Sequence, residues 1–153
     1  LFIGVNAVIG YLKAWEGEPL VGVETYLGPR IYDIYVPAIG FGYNKVTVGG
    51  LNIPDYSPLD VTYDFIHLYI HNRFTFARTD GIGLYGNFDI GYGLGSSREL
   101  YSDRPGGLTY GFGQGLELGS KTVRGDLGVS YRKHPFLYSG AGGEILGHFG
   151  LVL

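Results

Sequence analysis

The chain closes on residues 143–153, GEILGHFGLVL, and the reading of this stretch decides the fold. Its residues alternate. Ile145, Gly147, Phe149, Leu151 and Leu153 share one side; Leu146, His148, Gly150 and Val152 share the other. Such a period of two is the signature of a β-strand. The first row is apolar or small at every position. A soluble protein would bury this row under more chain. Lipid is the other cover.

The same alternation occurs seven more times. Leu1, Ile3, Val5, Ala7, Ile9 and Tyr11 form an apolar row in the first strand. In the second, Val21, Val23, Thr25 and Leu27 alternate with Gly22, Glu24 and Tyr26. The third runs over 30–48 and loses phase near Pro37, where a bulge is expected because proline cannot donate to a ladder. In the fourth, Ile66, Leu68, Ile70, Phe74 and Phe76 share a face, with Asn72 the exception, against His67, Tyr69, His71 and Arg73. The fifth sets Leu84, Gly86, Phe88, Ile90, Tyr92 and Leu94 against Tyr85, Asn87, Asp89 and Gly91. The sixth sets Leu108, Tyr110, Phe112, Leu116 and Leu118 against Thr109, Gly111, Gly113 and Glu117. The seventh sets Val123, Leu127, Val129 and Tyr131 against Arg124, Asp126, Ser130 and Arg132.

The connections between strands alternate in length. KAWEGEP is long and GPR short; GGLNIPDYSPLD is long and TDG short; GSSRELYSDRPG is long, SK short and PFLYSGAGG long. In an antiparallel meander, alternate connections lie at the same end. One end therefore carries tight turns and both termini, and the other carries the longer loops. The whole of 1–153 reads as a single all-β domain: an eight-stranded antiparallel up-and-down barrel.

Composition agrees. Charged residues make up 16% of the chain, below the roughly 25% usual in soluble domains. The 28 glycines are well above average usage of about 7%. With 45% hydrophobic content and no collagen-like period, they point to β-structure with close backbones rather than disorder. The net charge is −3 and no basic run occurs, so nucleic acid is not an expected partner. There is no cysteine, which removes disulfides and thiolate chemistry. No apolar run reaches the length of a transmembrane helix. The chain starts at Leu1, consistent with a removed signal peptide or a trimmed N-terminus.

Eight long strands, tight turns at one end, longer loops at the other and an alternating last strand resemble the small bacterial outer-membrane β-barrels of the OmpA, OmpX, OmpW and PagL type. The resemblance is architectural and covers the whole chain. In that group the last strand usually ends in an aromatic residue; Leu153 departs from this and points to truncation or an atypical assembly signal. The resemblance implies a bacterial outer-membrane location. Lipid and lipopolysaccharide would then be partners, with another envelope protein as a further one.

Alternation does not say which face is inside, and a lipocalin-like soluble carrier of a hydrophobic ligand has the same period with the faces exchanged. Strand lengths beyond the 9–11 residues needed to span a bilayer favour the membrane reading. So do the glycine-rich polar rows. Tyr11, Trp15, Tyr43, Tyr63, Tyr92, Tyr110 and Tyr131 near strand ends suit an aromatic girdle. This reading turns Ile66, Leu68, Ile70, Phe88, Ile90, Leu127, Val129, Ile145, Phe149 and Leu151 toward lipid. It also requires the last strand to pair with the first, because an open sheet edge cannot stand in hydrocarbon.

The polar rows then fill the lumen. A two-residue SK loop pairs Gly119 with Thr122 and sets Glu117 opposite Arg124. TDG reads as a three-residue hairpin with Gly81 left-handed, which pairs Arg78 with Ile82, His71 with Asp89 and Arg73 with Asn87. Glu24, His71, Arg73, Asn87, Asp89, Glu117, Arg124, Asp126 and Arg132, with His148, are the expected lumen network. Unpaired charge there is costly, so paired ions are expected. An eight-stranded barrel is just wide enough for side chains to fill, so a structural network is favoured over a charged gate.

Some barrels of this type are lipid A acyl hydrolases. His134, Ser139 and Glu144 around the last long loop supply the residue types of a catalytic triad. PagL-type deacylases resemble this in placing a histidine at the end of the penultimate strand. Their His-x-Ser-Asn spacing is absent, since Pro135 and Phe136 follow His134. His134 also falls on the lumen row. The glycines of GIGLYG open a strand rather than a helix, so they do not read as a dinucleotide site. No cofactor is expected. His67 and His71 share a face without a metal-ligand pattern, and no metal is expected. Arg98, Glu99, Asp103 and Arg104 make the most charged loop, and loops on a rigid scaffold are where binding concentrates.

Overall fold

A computed structural model describes residues 1–12, 18–51, 59–97, 106–120, 122–133 and 143–153. Eight strands follow one another: β1 (Phe2–Leu12), β2 (Glu18–Gly28), β3 (Tyr35–Leu51), β4 (Leu59–Arg78), β5 (Ile82–Ser97), β6 (Gly106–Gly119), β7 (Arg124–Lys133) and β8 (Gly143–Val152). Each pairs antiparallel with its neighbours in chain order, and the sheet closes as a barrel. β8 joins β1, with Tyr11 opposite Ile145 and Val5 opposite Leu151. Closure runs one step past β8: Leu153 N–H donates to Ile3 O at 2.9 Å, and Ile3 N–H to Leu153 O at 3.2 Å. Every strand edge is thereby paired, as hydrocarbon requires.

The wall is apolar outside and polar inside. Leu68 is 60% exposed and Phe149 53%, while Arg73 and Glu117 are each 1% exposed. The other residues expected on that side, Ile66, Ile70, Phe88, Ile90, Leu127, Val129, Ile145 and Leu151, are all exposed on the outer wall. A carrier of a hydrophobic ligand needs the reverse, so the soluble-carrier reading is overturned. The lumen is layered. Val8, Leu20, Val46, Phe65 and Leu146 pack together toward the long-loop end. Phe2, Tyr26, Val36, Ala38 and Val152 pack toward the tight-turn end. Polar side chains lie between.

Glycines make room for rings. Tyr26 stands opposite Gly4, Tyr69 opposite Gly40 and Tyr85 opposite Gly115. In each pair a Cβ on the glycine would run into the facing tyrosine ring. The inward tyrosines thus lie flat across a neighbouring strand, covering its glycine.

Several local expectations are corrected. The third strand does not begin at Arg30. Residues 31–34 form a tight turn in which Tyr32 (φ 50°) and Asp33 (φ 56°) are both left-handed, and Ile34 N–H donates to Ile31 O at 3.2 Å. Two consecutive positive φ values make a type I′ turn, whose twist suits a hairpin. Pro37 carries no bulge: its pairing with Asn72 lies in unbroken register, and the β3–β4 irregularity is between Val48 and Leu51. The β2–β3 ladder ends at Leu27–Ile39, so Pro37 lies past the place where its missing donor would be needed.

The β4–β5 turn pairs Arg78 with Gly83, not Ile82, and Gly81 is not left-handed. Thr79 shapes it instead: its N–H donates to Ile82 O at 2.8 Å and its hydroxyl accepts from Ile82 N–H at 3.3 Å. A bulge between Thr75 and Ala77 absorbs the one-residue difference, so His71 faces Asp89 and Arg73 faces Asn87. The β6–β7 ladder ends at Gly119–Arg124 rather than Gly119–Thr122, which sets Glu117 opposite Asp126, not Arg124. Ser120 caps this turn, its hydroxyl accepting from Val123 N–H at 3.2 Å, and Gly119 takes φ 136° there. Tyr63 is not in the girdle; it packs inward beside Phe65. Trp15 lies outside the described residues.

Candidate functional site

The polar middle of the lumen is the chemically distinctive part of the molecule. β4 contributes three adjacent members, because alternate residues of a strand point the same way: Tyr69, His71 and Arg73 all face inward. Arg73 lies at the centre. Its Nη2 donates to Glu117 Oε1 and its Nη1 to Asp126 Oδ2, both at 2.8 Å. Glu117 and Asp126 are cross-strand neighbours, and like charges so placed repel. Arg73, reaching over from β4, bridges the pair with one planar fork. Asp126 also accepts from Tyr26 Oη at 2.8 Å and Tyr85 Oη at 2.6 Å. The Arg73 guanidinium lies 3.3 Å from the centre of the Tyr85 ring, a cation–π contact.

Glu117 is shared further. Its Oε2 accepts from Arg124 Nη1 at 2.6 Å and Arg78 Nη2 at 2.8 Å. Arg124 therefore meets Glu117 diagonally rather than squarely, because a long side chain spans a two-residue offset. Arg78 enters through the bulge. Strict alternation from Arg73 would turn it outward; the extra residue at Phe76 turns it in. Nothing in the sequence marks that bulge.

A second cluster lies toward the long-loop end. His71 Nδ1 is 2.6 Å from Asp89 Oδ1, and Asn87 donates to Asp89 Oδ2 at 3.2 Å. Arg132 Nη1 donates to Glu24 Oε1 at 2.6 Å, and Tyr69 Oη to Glu24 Oε2 at 3.4 Å. His148 Nε2 is 2.7 Å from Tyr85 Oη, and the Tyr26 ring stacks on His71 with centroids 4.5 Å apart, which joins the two clusters. The void between them, beside Asn6, His71, Arg73 and Asn87, measures about 10 Å³, space for about one water molecule.

Glu24, His71, Arg73, Asn87, Asp89, Glu117, Arg124, Asp126, Arg132 and His148 are therefore all inward and interconnected. Sequence reasoning left out Arg78, Asn6 and the tyrosines Tyr26, Tyr69 and Tyr85. The tyrosines were detectable, since all three fall on polar rows. On the outer wall Asn72 is satisfied by Tyr35, whose Oη donates to Asn72 Oδ1 at 2.7 Å.

Of the candidate triad, Glu144 lies on β8, fully buried in the lumen, with Asn44 Nδ2 3.5 Å from its Oε2. A carboxylate held there does not face an outer, lipid-side site. His134 and Ser139 lie outside the described residues, as do Arg98, Glu99, Asp103 and Arg104. Among the described residues no group of three His, Cys, Asp or Glu could hold a metal ion.

No protein-family model matches the chain, and no curated protein matches it by sequence. Solved structures do match. Neisserial surface protein A superposes with a TM-score of 0.65 at 10% identity, over 99% of this chain and 95% of that one. The outer membrane enzyme PagL gives 0.64 at 11% identity, over 98% of each chain. The N-terminal β-barrel domain of Pseudomonas aeruginosa OprF gives 0.55 at 15% identity, over 99% of this chain and 95% of that one. At such identities the likeness is one of fold: this chain is an eight-stranded antiparallel barrel of the kind found in bacterial outer membranes.

Proposed function

We propose that the barrel is a non-conducting membrane scaffold that holds its four longer connections at the membrane surface, where they contact lipopolysaccharide head groups or another envelope protein. One observation carries the reading. Arg73 ties Glu117 and Asp126 across the lumen, with an apolar cluster on either side of the polar layer. A solute path would have to break buried ion pairs, which costs several kcal/mol. Function then falls to the loops.

Planar-bilayer recording tests the first half. The folded barrel is expected to give no stepwise current, and Glu117→Gln none either provided it still folds. A regular conductance that Glu117→Gln alters without unfolding the barrel would replace the scaffold with a gated pore. Co-flotation with lipopolysaccharide micelles tests the second half. Arg98→Gln with Arg104→Gln is expected to weaken it; unchanged flotation would remove that loop from the account.

A further inference from the structure

A recess of about 430 Å³ opens at the tight-turn end, lined by Arg30, Asp33, Arg78, Thr79, Asp80 and Arg124. In outer-membrane barrels this end faces the periplasm. The three guanidiniums arrive from separate elements: the β2–β3 turn, the end of β4 and the start of β7. Two are already engaged. Arg78 and Arg124 both donate to Glu117 Oε2, and the other Glu117 oxygen is taken by Arg73.

Arg30 is different. Its side chain is only 17% exposed, and no hydrogen bond engages its guanidinium among the described residues. It rests against the Phe2 ring, 4.9 Å from the centre. Its nearest acid is Asp33, 3.8 Å away and 74% exposed. The same carboxylate is 3.6 Å from Arg78. Burial pulls the Arg30 pKa below its ordinary value; Glu117 opposes this, while Arg124 and Arg78 add to the lowering. A guanidinium carries five donors, and a mostly buried one without an acceptor is expensive unless an anion meets it.

We propose that this recess binds a phosphate group, with Arg30 as its main ligand, Arg78 and Arg124 beside it, and Asp33 occupying the anion's place in its absence. Donors converging from three elements suit an acceptor with oxygens in several directions. A phosphate offers that; a planar carboxylate offers one bidentate edge. The phosphate belongs either to a small periplasmic molecule or to a lipid head group at the inner rim of the membrane.

Calorimetric titration of the folded barrel with inorganic phosphate, in detergent at low ionic strength, tests the site. A second arm measures binding to phosphatidic acid vesicles against phosphate-free glycolipid vesicles. Arg30→Gln is expected to weaken binding about tenfold or more, and Asp33→Asn to tighten it by removing the competitor. Gel migration before and after boiling shows that each variant is folded. Binding of inorganic phosphate supports the site with a free phosphate as its source. Binding of phosphatidic acid alone supports it with a lipid head group as its source. No response to either phosphate in wild type and Asp33→Asn overturns the proposal. So does a response equalled by chloride at matched ionic strength, or one that Arg30→Gln leaves intact.

Discussion

Arg73 and Asp126 meet across the lumen, Nη1 to Oδ2 at 2.8 Å, although three strand pairings separate β4 from β7 around the wall. The contact makes opposite sides of the barrel answer to each other. The β6–β7 register places Glu117 beside Asp126, a juxtaposition that would oppose folding without the cation between them.

Removing that cation should therefore be severe. Arg73→Met removes the cation paired with buried Asp126 and leaves Glu117 to Arg78 and Arg124, and a loss of about 3–5 kcal/mol is expected. Urea unfolding in lipid vesicles measures it. Arg73→Met combined with Asp126→Asn should recover much of the loss, because Glu117 keeps its pairs with Arg78 and Arg124. Equal instability of the single and double variants would mean that Arg73 matters for its packing rather than its charge.

The outer wall predicts a dependence on depth. Ile70 stands mid-wall, paired with Ile39 and Ile90 and 54% exposed. Ile70→Arg is expected to cost about 2–4 kcal/mol in vesicles, and Leu153→Arg at the rim about 0–1. In the same unfolding assay, equal costs at the two positions would argue against a bilayer around this wall.

Glycines should divide by what covers them. Gly40→Leu places a side chain where the Tyr69 ring lies, which displaces Tyr69 from Glu24 and is expected to cost about 1–3 kcal/mol. At Gly147 on the outer wall a Cβ would meet Ile9 O at 3.5 Å, an ordinary contact. Gly147→Ala is expected to stay within about 0.5 kcal/mol of wild type.

Much of this architecture was legible in the sequence, for a physical reason. A wall with lipid on one side and a polar lumen on the other forces a period of two on every strand, so the rows through Ile70, Phe88, Leu127 and Phe149 declare themselves. The turns were less legible. Tyr32 is a poor candidate for a left-handed residue, and RIYDIYV alternates like a strand; closure of the hairpin, not local preference, decides its conformation. The bulge at Phe76 is similarly set by fitting β4 to β5. It reverses the phase of Arg78, so single-strand alternation could not place Arg78 beside Glu117. The Glu117–Arg124 contact forms despite a register two residues from the expected one, because arginine reaches diagonal neighbours. The catalytic suggestion built on His134, Ser139 and Glu144 has one described member, and Glu144 lies in the lumen.

The inside-out wall is the claim on which the rest depends, and β8 allows a direct test because the chain has no cysteine of its own. Single cysteines at each position from Ile145 to Val152, in the barrel folded into vesicles, would be reacted with a maleimide dissolved in the bilayer. Fast labelling at 145, 147, 149 and 151, with protection at 146, 148, 150 and 152, is the predicted result. The opposite alternation, or uniform labelling along the strand, would contradict it.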